Sequence, residues 1–96
     1  MKEIDICETI GDGVIVDVRD SVLYKMGTLP GAINIPVENI KELYSLPKDK
    51  DIYVFCQVGD YSGEVVELLT DAGYNACNLA GGYLKYLRKK LADDKE

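Results

Sequence analysis

The sequence contains no histidine and no tryptophan. Without histidine, the chain cannot build the Ser-His or Cys-His pairs that activate a nucleophile in many hydrolases. The same absence removes the most common nitrogen ligand of zinc sites. Any reactive cysteine in this chain must therefore be activated without an imidazole.

Long apolar runs and a cysteine framework are also absent. No stretch approaches the roughly 18 apolar residues that a membrane helix needs. The first segment, "MKEIDICETIGDG", carries acids at positions 3, 5 and 8 and does not resemble a signal peptide. The cysteines at positions 7, 56 and 77 are odd in number and widely spaced, which fits neither a disulfide framework nor a zinc motif. We expect a cytoplasmic protein with no metal, no cofactor and no membrane partner.

Basic residues are outnumbered, with 11 lysines and arginines against 17 acids and a net charge of −6. This balance argues against nucleic acid and anionic membranes as partners. The one basic cluster, "KYLRKK" at 85–90, is expected to be the solvated face of a terminal helix. A length of 96 residues fits one domain spanning 1–96.

Segments typical of strands alternate with segments typical of helices. Strands are predicted at 4–7, 14–18, 32–35, 52–55 and 75–79, and helices at 20–27, 37–46, 62–72 and 80–91. The continuous apolar run at 52–55 is typical of a strand buried on both faces of a parallel sheet. The alternation predicts a three-layer α/β domain, with a mostly parallel central sheet and helices on both faces.

The pattern also predicts which side chains the helices bury and where one helix begins. Ser62 is expected to cap the third helix, and Gly73 is expected at its carboxyl end. The buried faces are expected to hold Val37, Ile40, Leu43 and Tyr44 in the second helix, and Leu84, Leu87 and Leu91 in the last.

The stretch "FCQVGDYSG" at 55–63 follows the central predicted strand. In open parallel sheets, ligands bind beyond the carboxyl ends of the strands, where both Cys56 and "DVRD" (17–20) fall. The stretch contains no proline, so the backbone N–H groups of Gln57, Val58, Gly59, Asp60, Tyr61 and Ser62 are all available to surround an anionic sulfur. The start of the following helix would add its dipole. Cys56 is therefore either a reactive thiolate or a small apolar residue that ends a core strand, and the pattern alone leaves both interpretations open.

Three motifs together resemble the rhodanese family of single-domain sulfurtransferases. "DVRD…Y…GTLPGAINIP" (17–36) is similar to the family's first signature, "CQVGDYS" (56–62) to its active loop Cys-x-x-Gly-x-x-Ser, and "LAGGYLKY" (79–86) to its closing Leu-x-Gly-Gly motif. The resemblance implies that Cys56 takes a sulfane sulfur as a persulfide and that Asp17 and Arg19 support the site. It implies a donor such as polysulfide, a persulfide or thiosulfate, an acceptor thiol or cyanide, and a larger sulfur-relay protein as a possible partner.

The active loop departs from the family's common pattern. Gln57 and Tyr61 stand where arginines are often found, and Asp60 adds an acid. Thr28, Leu23 and Tyr86 replace a usual histidine, acid and tryptophan. These departures predict weak thiosulfate activity. They also keep open a second interpretation, a non-catalytic rhodanese-like interaction or regulatory module. A cysteine phosphatase is disfavoured, because its loop needs an arginine and none lies between Arg19 and Arg88.

Overall fold

A computed structural model describes residues 1–94 and contains one five-stranded sheet. The strands lie in the order β1-β5-β4-β2-β3, and every pairing between them is parallel. The strands are β1 (Glu3–Asp5), β2 (Val14–Asp17), β3 (Ile33–Asn34), β4 (Ile52–Phe55) and β5 (Ala76–Ala80). The helices are α1 (Ser21–Met26), α2 (Asp60–Asp71) and α3 (Gly82–Asp94), and a 3₁₀ segment spans Val37–Ser45.

Strand β4 occupies the centre of the sheet, as the apolar run at 52–55 predicts. Its side chains alternate between the two faces, so Ile52 and Val54 join one core cluster and Phe55 joins the other. Because layers cover both faces, the fold class predicted from the sequence is confirmed. Most strand ends shift by one or two residues, and the 32–35 strand shrinks to two residues.

Helix α2 and the 3₁₀ segment cover the first face. Predicting an ordinary helix at 37–46 was wrong, and so was placing Val37 and Tyr44 on its buried side, because these two are 59% and 54% exposed. A 3₁₀ helix has three residues per turn, so side chains three apart share a face. Ile40, Leu43 and Leu46 have this spacing, and all three pack on the core.

Helix α3 covers the second face with tyrosines rather than leucines. Tyr83 and Tyr86 pack against the cluster that contains Phe55, with the Tyr83 and Phe55 ring centroids 6.3 Å apart. The expectation that Leu84 and Leu91 face inward was wrong, since they are 37% and 54% exposed. The helix begins at Gly82, two residues later than predicted, and Gly81 and Gly82 both have positive φ.

Within residues 1–94, none of the helices combines the length and apolar character needed to cross a bilayer.

Candidate active site

Cys56 follows the last residue of β4 and is only 4% exposed. Its sulfur receives the backbone N–H of Gly59 at 3.1 Å and the backbone N–H of Ser62 at 3.4 Å. The Ser62 hydroxyl oxygen lies 3.2 Å from the same sulfur. The loop therefore curls back on the cysteine and directs two N–H donors at Sγ, an arrangement that can bind an anionic sulfur.

The other predicted amide donors do not reach the sulfur. The N–H groups of Gln57, Val58 and Asp60 make no hydrogen bond to Sγ, and the Tyr61 N–H donates to the Asp60 carboxylate at 2.7 Å. The structure thus narrows the predicted six-residue cradle to two amides and one hydroxyl around Sγ itself.

Helix α2 begins earlier than the sequence suggests. Gly59 adopts the left-handed conformation, with φ 102°, and occupies the N-cap position. Ser62 is therefore not the cap; it lies in the first turn, fully buried. The Ser62 N–H is one of the amides at the start of a helix that have no partner inside the helix. The sequence missed this start because a left-handed glycine can begin a helix without a capping side chain.

Ser62 is connected to a buried residue of the neighbouring strand. Its hydroxyl donates to Asn78 Oδ1 at 2.6 Å, and the Asn78 amide group donates to the Gly59 carbonyl at 3.1 Å. Asn78 lies on β5 and is 2% exposed. One side chain therefore contacts both the loop and the hydroxyl that faces the sulfur.

Asp60 brings a negative charge close to Cys56. One of its carboxylate oxygens lies 3.7 Å from Sγ, and the side chain is exposed. Tyr61 is partly buried beside it, and burial, followed by the nearby Glu64 and Cys56, raises the pKa of its phenol. The loop thus presents one acid and one neutral phenol near the sulfur.

The Asp17–Arg19 ion pair lies behind the loop. Both residues are buried, and the Arg19 guanidinium contacts the Asp17 carboxylate at 2.7 Å. Thr28 donates its hydroxyl to Asp17 at 2.8 Å, so the residue that replaces the family's histidine completes this cluster. Neither Asp17 nor Arg19 makes a hydrogen bond to the Cys56 sulfur.

Arg19 supports the loop through Gln57. Its guanidinium donates to Gln57 Oε1 at 3.3 Å and stacks over the Tyr83 ring, 4.2 Å from the centroid. It also donates to the Gly27 carbonyl. The absence of an acid at Leu23 therefore does not leave Arg19 without partners.

The turn at 81–82 closes the site from the other side. The backbone N–H groups of Tyr83 and Leu84 donate to the carbonyls of Cys56 and Gln57, at 2.8 and 3.1 Å. Gly82 has φ 68°, and a Cβ built there would lie 2.6 Å from the Val58 nitrogen. Gly81 and Gly82 therefore form a tight turn that packs directly against the active loop.

The two other cysteines lie in different surroundings. Burial is the first cause that raises the pKa of Cys7, followed by the Asp5 carboxylate, and burial also raises the pKa of Cys77. All three cysteines are free. Residues 1–94 hold no group of three or more cysteine, aspartate or glutamate side chains arranged to bind a metal ion.

The roles of two residues in the site were not predicted from the sequence. Asn78 is a polar residue inside the otherwise apolar strand "ACNLA", and that contrast was the signal available for it. The sequence identified Tyr83 only as part of the closing motif. Its contact with Arg19 could not be predicted, because the two residues are distant in sequence.

Comparison with known proteins shows a family match across most of the chain. The model of the family described as Rhodanese-like domain matches residues 4–89. A tRNA sulfurtransferase of Desulfurococcus amylolyticus is 36% identical, with 79% of this chain and 15% of that protein aligned. A tRNA uridine(34) hydroxylase of Bdellovibrio bacteriovorus is 35% identical over 88% of this chain and 26% of that protein. The chain thus spans only about a seventh to a quarter of the length of these relatives.

Solved structures resemble the chain over most of its length. SSP1007 from Staphylococcus saprophyticus has a TM-score of 0.77 and 34% identity, covering 85% of this chain and 89% of that one. A rhodanese-like domain protein from Staphylococcus aureus has a TM-score of 0.75 and 36% identity, covering 85% and 87%. Together with the family match and the geometry around Cys56, these similarities show that the chain belongs to the rhodanese-like domain family.

Proposed function

We propose that this protein is a sulfurtransferase that carries a sulfane sulfur as a persulfide on Cys56. The observation that carries the proposal is the pair of backbone amides, of Gly59 and Ser62, that donate to Sγ. In the first step, the thiolate attacks the outer sulfur of a donor; a new S–S bond forms as the donor's S–S bond breaks, and the leaving group keeps the electron pair. In the second step, an acceptor thiolate or cyanide takes that sulfur and Cys56 leaves as thiolate.

Three unused amides support a place for the second sulfur. The N–H groups of Gln57, Val58 and Asp60 make no hydrogen bond to Sγ, yet they belong to the same curled loop. A terminal persulfide sulfur is anionic and extends beyond Sγ, so it would benefit from further donors.

The surroundings of the loop favour donors of low charge. Asp60 lies 3.7 Å from Sγ and would repel the two negative charges of thiosulfate. Exposed apolar side chains lie in the loop at Val58 and beside Gln57 at Met26. A cavity of about 250 Å³ beside Gln57 is lined by Arg19, Leu23, Met26, Gly27, Gln57, Tyr83, Leu84 and Leu87. We therefore propose polysulfide or an organic persulfide as the preferred donor, with thiosulfate used weakly.

The named relatives support sulfur transfer in general. Besides the tRNA sulfurtransferase, an adenylyltransferase and sulfurtransferase UBA4 of Saccharomyces cerevisiae is 32% identical over 83% of this chain. Both proteins are much longer than this chain, which aligns with 15% and 21% of them. A larger sulfur-relay protein as partner is consistent with this, and we propose a reducing compartment, the cytoplasm, which suits three free thiols.

Intact mass after incubation with polysulfide tests the proposal. We expect a gain of one sulfur, about 32 Da, that a reductant removes. Cys56→Ser should abolish the gain, whereas Cys7→Ser and Cys77→Ser serve as matched controls and should retain it.

A wild-type protein that gains no sulfur would contradict the proposal. If Cys56 were also no more reactive than free cysteine, the chain would be better described as a rhodanese-like interaction or regulatory module.

A further inference from the structure

Asn78 and Ser62 form a hydrogen-bonded chain that ends at the catalytic sulfur. The Asn78 amide nitrogen faces two groups that can only accept, the Gly59 carbonyl at 3.1 Å and the Glu3 carboxylate at 3.4 Å. The Asn78 oxygen must therefore face Ser62, and the short 2.6 Å contact requires the Ser62 hydroxyl to donate to it.

A hydroxyl has one hydrogen, and this one has two competing acceptors. While Cys56 is a thiol, Sγ–H can donate to the Ser62 oxygen at 3.2 Å or to the Asp60 carboxylate at 3.7 Å, and Ser62 donates to Asn78, so every group is satisfied. When Cys56 loses its proton to water, the sulfur becomes the stronger acceptor. The Ser62 hydrogen can turn to the thiolate only by leaving Asn78 Oδ1, which is buried and has no other donor within the described residues.

We propose that Asn78 is a positioning residue that limits the hydrogen bonds to Cys56 by holding the Ser62 hydrogen away from the sulfur. The hydroxyl then contributes little to binding an anionic sulfur, and the two amides of Gly59 and Ser62 are its main donors. The benefit of such an arrangement is a sulfur that is a better nucleophile than a strongly stabilised thiolate. The inference rests on the proposed function only in taking Cys56 as the nucleophile.

Other charged and ionisable groups lie around this chain of hydrogen bonds and must be held constant in any test. Asp60 lies 3.7 Å from Sγ, and Tyr61 adjoins it as a neutral phenol. Arg19 reaches the loop through its hydrogen bond to Gln57. Glu3, on β1, accepts a hydrogen bond from the Asn78 amide group. Variants of Ser62 and Asn78 leave all four of these side chains in place.

A double-mutant cycle on the alkylation of Cys56 separates this role from a merely structural one. In a Cys7→Ser/Cys77→Ser background, the rate of reaction with iodoacetamide is measured against pH. We expect Ser62→Ala to slow alkylation at pH 7 by no more than about threefold when Asn78 is present. In an Asn78→Ala background, where the hydroxyl is free to bind the thiolate, the same change should slow it by about tenfold, because hydrogen bonds to charged groups are the stronger ones.

Asn78→Thr is the matched control, because it is uncharged and keeps an oxygen that can accept from Ser62 but loses the amide that donates to Gly59. If the proposal is right, Ser62→Ala has an effect in this background as small as in the parent protein. If Asn78 only holds the loop, Asn78→Thr and Asn78→Ala behave alike, and that result overturns the proposal. Equal effects of Ser62→Ala with and without Asn78 overturn it too. If Asn78→Ala does not fold, Asn78→Val replaces it in the cycle.

The readout is alkylation and not sulfur transfer. A protein that shows the expected coupling but forms no persulfide would retain this inference and lose the proposed function. A protein that forms the persulfide without the coupling would do the reverse.

Discussion

At the scale of single residues, Asp60 is the side chain that should decide which donor the protein prefers. Its carboxylate lies 3.7 Å from Sγ, close enough to repel an anion that approaches the sulfur. Replacing it with arginine exchanges repulsion for a potential bidentate partner of an oxyanion. We expect Asp60→Arg to raise kcat/KM for thiosulfate by about tenfold, because local charge changes the rate at which an anion is captured by at least this factor. The same change should alter kcat/KM for an organic persulfide much less.

Glu67→Arg provides the matched control for this change, because Glu67 is an exposed acid on the same helix and the net charge changes equally. Steady-state kinetics with both donors would check the result. A wild-type protein that already prefers thiosulfate, or equal effects of Asp60→Arg and Glu67→Arg, would show that the loop acid does not set donor choice.

The three cysteines should differ in reactivity. Burial raises the pKa of the Cys7 and Cys77 thiols, so less of each is thiolate at neutral pH, and only the thiolate reacts. Peptide mapping after brief alkylation at pH 7 should therefore find label at Cys56 first. The labelling of Cys7 and Cys77 should increase as the pH rises above the ordinary thiol range, and preferential labelling of either at pH 7 would contradict the expectation.

At the scale of elements, the turn that precedes α3 holds the active loop in place. A Cβ on Gly82 would meet the Gln57 carbonyl and the Val58 nitrogen, and its φ of 68° disfavours any side chain. A left-handed backbone alone costs about 1–2 kcal/mol. We expect Gly82→Ala to lower the free energy of unfolding by more than this amount. We also expect it to reduce persulfide formation.

Gly31→Ala is the control, because Gly31 has a similar φ of 80° but nothing within 4 Å of a Cβ. This variant should show the backbone cost alone and retain persulfide formation. Urea unfolding together with intact mass would check both variants, and equal losses in the two would mean that the contact with the loop is unimportant.

The sequence predicted best where local pattern and tertiary environment agree. Ile52–Phe55 is buried on both faces, so its apolar run and its bounds coincide with β4. The prediction of an ordinary helix at 37–46 was wrong, because the segment has a kink at Asn39 and a three-residue repeat in place of α-helical spacing. The polar contacts of Asn78 could not be predicted, since its partners Ser62 and Gly59 come from another element and only the fold brings them together.

At the scale of the whole molecule, the net charge of −6 acts in the same direction as Asp60. Salt screens such long-range repulsion, with a Debye length of about 10 Å at 0.1 M. Raising the ionic strength should therefore increase kcat/KM for thiosulfate more than for an uncharged donor. Kinetics across a salt series would check this, and a gap between donors that is insensitive to salt would contradict it.

The pairing of β1 with β5 has a consequence for how the protein folds. Glu3 aligns with Asn78, and the Asn78 N–H donates to the Lys2 carbonyl, so two segments about 75 residues apart in sequence meet beside the active loop. Contacts between residues far apart in sequence form slowly, because the entropy of closing a long loop is lost before the contact contributes. Asn78 and the turn at Gly82 hold the Cys56 loop through contacts of this kind. We therefore expect the reactive sulfur to be among the last features to mature during refolding.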